Sequence, residues 1–489
     1  MDFVVSVDIN KDIALHRQLY AELQKAILTG RLKPGEKLPS SRNLAKLLGL
    51  SRTTVTQSYE DLISEGYLET SLGSGTFVCE NLPERLLKAK SINDVNTTNI
   101  LDESKFKLSD YSQRLAKIPS MLADSEINVT FRAWSPDLEE FPLKEWGKIL
   151  SRYCRTGKKN LLGYSIDSSG YKPLKEAIAA YLTRSRAVCC NTEQIVIVNG
   201  SQQALDFISR IFINPGDGVV MEEPGYLGAK QAFFTYGAKI YPVNVDNNGI
   251  VVDQLKELKA ETLKLVYVTP SHQFPTGAVL SLPRRLELLA WAKSENVVII
   301  EDDYDSEYRY GGRPIPALQG LNLNNNVIYI GTFSKVLFPA LRIGYLVIPS
   351  SLVPIFSQAK YLTDRLCSTM DQYVLTEFIN TGALERHIRQ MRIIYNKRRE
   401  TLVTSLTKHF GDNIEIVGEN AGMHLMVRLK LGLSEQEVAK KLANKRIELI
   451  SAQNYYLQPN KENEYILGYA TLNQKAIKDA VIKLAEALL

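Results

Sequence analysis

The run Thr332-Phe333-Ser334-Lys335 follows the apolar segment Val327 to Ile330, and Arg342 stands seven residues beyond the lysine. A lysine flanked by hydroxyls and an arginine suits imine chemistry on an aldehyde, with an anion held beside it. Earlier in the chain, the apolar run Val297 to Ile300 ends in Glu301-Asp302-Asp303-Tyr304-Asp305, carboxylates at the end of a strand, where α/β sheets gather ligands. Alternation along a strand puts Asp302 and Tyr304 on one face. Pyridoxal 5′-phosphate (PLP) asks a protein for an amine, an acid at the pyridine nitrogen, a donor at the phenolate and a phosphate cup. Lys335 offers the Schiff-base amine, Asp302 the acid and Tyr304 the phenolate donor, while Thr332, Ser334 and Arg342 offer the cup.

A second part of the cup is legible where the strand Ile195 to Val198 runs into Asn199-Gly200-Ser201-Gln202-Gln203 and then a helix. Free N–H groups at Gly200, Ser201 and Gln202 would face an anion there. Tyr226, in Glu222-Glu223-Pro224-Gly225-Tyr226, offers a face for stacking on a ring. Each motif alone has a plainer reading: a surface lysine, a simple strand-to-helix turn, a packed tyrosine, an acidic metal site. The last is disfavoured because no histidine stands nearby at ligand spacing, so no metal is expected.

Elements must position these groups. Ile195 to Val198, Val219 to Met221, Leu265 to Val268, Val297 to Ile300, Val327 to Ile330 and Tyr345 to Ile348 are apolar strand candidates alternating with amphipathic helical segments. This is the α/β pattern of a mainly parallel sheet covered on both faces. The tail, about 392–489, has its own strands, Gly422 to Leu429 and Glu464 to Gly468, and a closing amphipathic helix, which predicts a smaller α/β subdomain.

The first 80 residues read differently. Leu15, Leu19, Leu23 and Ile27 recur at helical spacing, and Gly30 with Pro34-Gly35 ends that helix. A second helix capped by Ser40 or Ser41 would bury Leu44, Leu47 and Leu48 and end at Gly49; a third, capped by Ser51, runs through Tyr59 and Leu62 to Gly66. Tyr67 to Thr70, a Gly73-Ser74-Gly75 tip and Thr76 to Val78 predict a hairpin. Ser51, Arg52, Thr53 and Thr54 present a cation and hydroxyls at the third helix start, with Arg42 at the second and Gly73 at a wing tip. A bare three-helix pattern fits protein binding equally well.

Charge supports DNA through its placement. The chain of 489 residues carries only +5, yet seven basic residues stand between Lys25 and Arg52 against the single acid Glu36. Acids dominate from Glu60 to Glu80. With 45% hydrophobic and 23% charged residues, extensive cores are affordable and general disorder is excluded. Five cysteines without CxxC spacing, no secretory signal at the start and no apolar stretch of membrane-spanning length lead to the expectation of a cytoplasmic protein with no membrane partner. Residues 81–127, rich in Asn, Ser, Thr, Asp and Lys, read as a tether with an end-to-end distance of about 35–40 Å. The expected domains are 1–80, the tether 81–127, and 128–489.

Gly30 to Arg42 and Leu62-Ile63-Ser64-Glu65-Gly66-Tyr67-Leu68 strongly resemble GntR-type winged-helix regulators. That resemblance places DNA contacts at Arg42, Arg52, Thr53, Thr54 and around Gly73, with Thr56 where the family is usually basic. Residues 128–489 resemble fold-type I aminotransferases, an α/β fold. Thr269-Pro270-Ser271-His272-Gln273-Phe274-Pro275-Thr276-Gly277 with Asp302-Asp303-Tyr304 is specific to the MocR-type subgroup, which includes GabR-like and PdxR-like proteins. The resemblance implies an α+β winged helix-turn-helix joined to a PLP domain, double-stranded DNA as partner, and a homodimer in which Tyr164 reaches the phosphate across subunits. It also implies PLP or an amine or amino-acid adduct of it as effector. Two departures are informative. Gly228 stands where GabR-like proteins grip an effector carboxylate with arginine, and Tyr465-Ile466-Leu467-Gly468-Tyr469 lacks the carboxylate-binding arginine of many aminotransferases. A buried carboxylate needs a paired cation, so the pattern favours a regulator over its alternative, an active aminotransferase with an accessory DNA-binding module.

Overall fold

A computed structural model describes residues 7–8, 12–71, 73–82, 106–119, 131–156, 163, 167–258, 262–311, 315–322, 325–365, 367–445, 447–458, 460 and 462–489. The chain divides into two compact units, Met1–Lys107 and Leu108–Leu489.

In the first unit, α1 (Leu15–Leu28), α2 (Ser41–Leu48) and α3 (Arg52–Ser64) precede a hairpin of β1 (Leu68–Ser71) and β2 (Gly75–Val78). Ser40 Oγ accepts from Asn43 N at the start of α2, and Gly49 in the left-handed region ends it. Ser51 Oγ accepts from Thr54 N at 3.1 Å and so caps α3. Leu19, Leu23, Leu44, Val55, Leu62 and Val78 form the fully buried centre. Leu47, expected to join them, is 63% exposed. At about 100° per residue, Leu44, Leu48 and Ala45 span one face and Leu47 falls outside it, on the far side of Leu44.

The second unit is built on a sheet of β3 (Ile195–Val198), β4 (Gly218–Glu223), β5 (Lys239–Asp246), β6 (Gly249–Ile250), β7 (Leu263–Val268), β8 (Val298–Asp303), β9 (Val327–Thr332) and β10 (Gly344–Val347). Its order is β3-β10-β9-β8-β7-β4-β5-β6. The pairs from β5 through β4, β7 and β8 to β9 are parallel; β10 is antiparallel to both neighbours, and β6 to β5. All six expected strands are present. Alternation sends Val196, Val198, Ile328, Ile330 and Leu346 into a core with the helix Ser201–Phe212. It sends Ile195, Ile197, Tyr329, Tyr345 and Val347 to the opposite core, with helices Lys172–Arg186 and Ala383–Phe410. This two-sided burial is why the strands are apolar without interruption.

A second sheet, ordered β11-β12-β14-β13, is antiparallel throughout, from β11 (Ile414–Val417), β12 (His424–Leu429), β13 (Ile450–Ser451) and β14 (Glu464–Gly468). The closing helix Gln474–Leu488 packs along Ala383–Phe410. Within the stretch read as a tether, the helix Asp110–Leu115 lies on the large unit. Tyr111 meets the Tyr236 ring at 5.1 Å, and Arg114 Nε donates to Thr235 O. Among the described residues no helix is long and apolar enough to cross a membrane.

One ion pair anchors the sheet beside the expected site. Arg186 Nε lies 2.8 Å from Asp303 Oδ2, which also accepts from Tyr329 Oη at 2.6 Å, all of it buried. Removing one partner strands the other charge. Arg186→Met is therefore expected to cost about 3–5 kcal/mol of stability, read from the urea unfolding midpoint; an unmoved midpoint would contradict this.

Candidate functional site

Topology explains why the separate motifs meet. β10 lies between β3 and β9, with Gly344 opposite both Val198 and Thr332, so the turns leaving β3 and β9 flank one another. Those turns carry Asn199-Gly200-Ser201 and Thr332 to Lys335. β8 is the next neighbour of β9 and delivers Asp302.

Asp302 is buried, and its Oδ2 accepts from Tyr267 Oη at 2.7 Å, whereas its Oδ1 has no partner. Burial pushes its pKa up to about 7; the Tyr267 hydrogen bond opposes this, Asp303 and Asp305 add to it, and Lys335 opposes it. Lys335 Nζ donates to Trp134 O at 2.6 Å. Burial lowers its pKa, against the charges of Asp305 and Asp302. Amine and carboxylate thus act on each other through the site.

The anion cup is backbone-rich. Gly200 has φ +96°, and a Cβ there would lie 2.9 Å from Arg342 Nη2. Arg342 is itself left-handed (φ +51°), and its Nη2 donates to Asn199 O at 2.6 Å. No side chain caps the helix starting at Ser201, which leaves its first N–H groups unclaimed by a cap. Ser334 Oγ is buried without a partner, and Ser334 N donates to Thr332 Oγ1 at 3.1 Å. Burial raises the Tyr226 pKa, the charge of Asp302 adds to this and that of Arg342 opposes it. The Tyr226 ring occupies the space over Gly228, where a Cβ would sit 2.7 Å from it.

Other predicted residues are engaged in ways the sequence did not disclose. Tyr304 Oη donates to His272 O at 2.9 Å and lies 3.0 Å from His272 Nδ1. The exposed side chain of Gln202 donates its amide to Gly228 O, while its backbone N–H stays in the uncapped first turn of the helix. Tyr164 lies outside the described residues.

Several neighbours went unread. His272 Nδ1 lies 3.1 Å from both oxygens of Asp305, and His424 joins them, all buried, with ligand-type atoms within 4.8 Å of one another. Spacing could not reveal this, because the three stand on separate segments. Burial forces His424 well below the usual histidine range, with His272 adding to the effect. Glu222, accepting from Thr269 N and Oγ1, is raised to about 7 by burial. Trp134, Phe274 and Tyr455 form an aromatic wall, with Phe274 edge-on to Tyr226, and Ile466 belongs to the same cluster.

In the DNA-type module, Arg42, Ser51, Arg52, Thr53 and Gly73 are exposed and Thr54 is half-buried. Ser51 Oγ accepts from Thr54 N at the cap and lies 2.7 Å from Thr54 Oγ1, which holds the turn that carries Arg52 and Thr53.

The residues fit PLP. Asp302 Oδ1 lacks a donor that a protonated pyridine nitrogen would supply, and Ser334 Oγ with the uncapped helix start lacks an acceptor that a phosphate would supply. These features define a winged helix-turn-helix protein with an aminotransferase-type PLP domain.

Comparison with known proteins agrees. Residues 15–78 match the model for bacterial regulatory proteins of the gntR family, and 136–481 that for aminotransferase class I and II. The chain is 36% identical to the probable rhizopine catabolism regulatory protein MocR of Rhizobium meliloti, covering 99% of this chain and 95% of that one. It is 27% identical to the HTH-type pyridoxine biosynthesis transcriptional regulator PdxR of Corynebacterium glutamicum, covering 100% and 99%. The crystal structure of Pyrococcus horikoshii kynurenine aminotransferase in complex with PMP aligns with a TM-score of 0.71 at 28% identity, over 81% of this chain and 98% of that one. The chain belongs to the MocR-type regulators, in which a GntR-family helix-turn-helix is fused to an aminotransferase class I and II domain. Its cofactor is PLP.

Two outcomes follow from the site. Lys335→Ala is expected to remove the near-visible absorbance of bound PLP while leaving the far-ultraviolet circular dichroism intact; an unchanged band would exclude Lys335 as the anchor. The second concerns pH. Asp302 is raised in the fold to about 7, above an unfolded value of about 4, so between those values the folded state binds more protons and stability falls as pH rises. Cofactor-free Asp302→Asn should therefore lose less stability than the parent from about pH 5 to 7.5, by urea midpoint, and equal losses would contradict the assignment.

Proposed function

We propose that this chain is a PLP-dependent transcription regulator whose aminotransferase-like domain senses PLP, or an amine or amino-acid adduct of it, and passes that state to the DNA module. One observation carries the reading. A single chain, similar over its full length to a named regulator, combines an exposed Arg52 at a helix start with a half-buried amine and a buried carboxylate around an anion cup.

Bound PLP supplies an electrophilic aldehyde and an electron-withdrawing ring. The chain's own residues do the rest: Asp302 holds the proton at the pyridine nitrogen, and Tyr267 keeps that carboxylate oriented. Arg342, Ser334, Thr332 and the N–H groups near Gly200 and Ser201 take the phosphate, and Tyr226 covers the ring. Tyr304 serves the phenolate by turning from His272, and Tyr164 completes the cup from a second copy in a homodimer. Arg42, Arg52, Thr53, Thr54 and the wing at Gly73 read double-stranded DNA, with Ser51 fixing the turn that presents them.

Domains at 1–80 and 128–489, joined by 81–127 with the helix Asp110–Leu115 of that stretch held on the large unit, suit a cytoplasmic dimer in which ligand state sets the separation of two DNA modules. The buried strand Glu464–Gly468 carries no arginine, which supports sensing over amino-acid turnover.

The test is DNA binding to the region upstream of the protein's own gene, by fluorescence anisotropy with and without PLP. PLP should change the affinity of the parent, whereas Lys335→Ala should bind without responding. Arg52→Ala should lose about 1–3 kcal/mol on its specific site. Affinities indifferent to PLP, or an undiminished Arg52→Ala variant, would overturn the respective assignments.

A further inference from the structure

We infer that the seam between the parallel-sheet domain and the antiparallel subdomain holds a second ligand site, for a small oxyanion, organised by Arg309. A cleft of about 490 Å³ opens there, lined by Asn247, Gly277, Val279, Arg309, Gly418 and Asn420 among others. An inner cavity of about 10 Å³ adjoins it, where Arg186, Arg285, Ser271 and Ser306 join Arg309. Among the described residues neither lining includes a carboxylate.

The three guanidinium groups are not equivalent. Arg186 is answered by Asp303, and Arg285 lies 3.9 Å from Glu301 with its N–H groups on the carbonyls of Leu280, Pro316 and Pro270. Arg309 has neither kind of support. It is within ion-pair distance of no described carboxylate, and its buried Nε has no hydrogen-bond partner. Burial and the neighbouring charge of Arg186 both lower its pKa, and no acid opposes them. A partly desolvated cation without a counter-ion is costly, and an anion removes that cost.

The walls suit such a ligand. Gly277 and Gly418 meet so closely that a Cβ on the first would lie 2.6 Å from the second's Cα, and both take positive φ, so the floor is bare backbone. The backbone of Arg309 bridges to Ala421 of the subdomain, which fixes the base of the side chain at the seam. A guanidinium offers two parallel N–H groups to a phosphate or carboxylate, and the cleft falls within the volumes of small-molecule sites, about 300–1,000 Å³. None of its described lining residues belongs to the PLP cup, so this site is additional to the cofactor's.

The test uses full-length, PLP-loaded protein, so that the cofactor's phosphate fills its own cup. Inorganic phosphate and, separately, acetate are titrated by calorimetry. The parent should bind one oxyanion per chain, and the preferred anion tells phosphate from carboxylate. Arg309→Gln should weaken binding about tenfold or more, with Arg309→Lys intermediate and the absorbance of bound PLP unchanged in both. Asn420→Asp, at an exposed position of the same lining, should weaken binding by repulsion and serves should Arg309→Gln fold poorly. Saturation by neither anion, or equal affinity in the parent, Arg309→Gln and Asn420→Asp, would overturn the proposal.

Discussion

A carboxylate buried at the end of β8, with one oxygen hydrogen-bonded and the other bare, is the constraint around which the large domain is arranged. Left alone, Asp302 is driven toward its neutral form, because the surroundings that exclude water also raise its pKa. Tyr267 satisfies Oδ2 and leaves Oδ1 to a donor from outside the chain. The parallel order of β7, β8 and β9 sets Asp302 on the strand beside the one that leads to Lys335, and antiparallel β10 brings the turn after β3 beside the turn after β9. Acid, amine and anion cup come from segments far apart in the chain, and only this topology unites them.

Much of the site was legible because each of its parts sits where a pattern changes. Apolar runs covered on both faces announce β3, β8 and β9, and the polar residues that break those runs are the ones at the strand ends. Less was legible at the sheet's margin. β5 is half-exposed along most of its length and β6 has two residues, so neither shows an uninterrupted apolar run. Leu47 misled for a related reason: in an eight-residue helix a leucine outside the contact face is indistinguishable by type from one inside it.

The residues that escaped notice are those whose role depends on neighbours rather than on spacing. His272, Asp305 and His424 converge from three segments. Tyr304, chosen from strand alternation, gives its hydroxyl to His272, so its availability to a ligand is governed by a contact invisible in the sequence. Gly228 acquires its reason only in three dimensions, since the Tyr226 ring fills the space a side chain would need.

The most direct measurement is borohydride trapping of the PLP-loaded protein followed by peptide mass mapping. Reduction fixes the cofactor to whichever amine holds it. The account predicts one phosphopyridoxyl group per chain, on the peptide containing Lys335. A label on another lysine, or none, would contradict it.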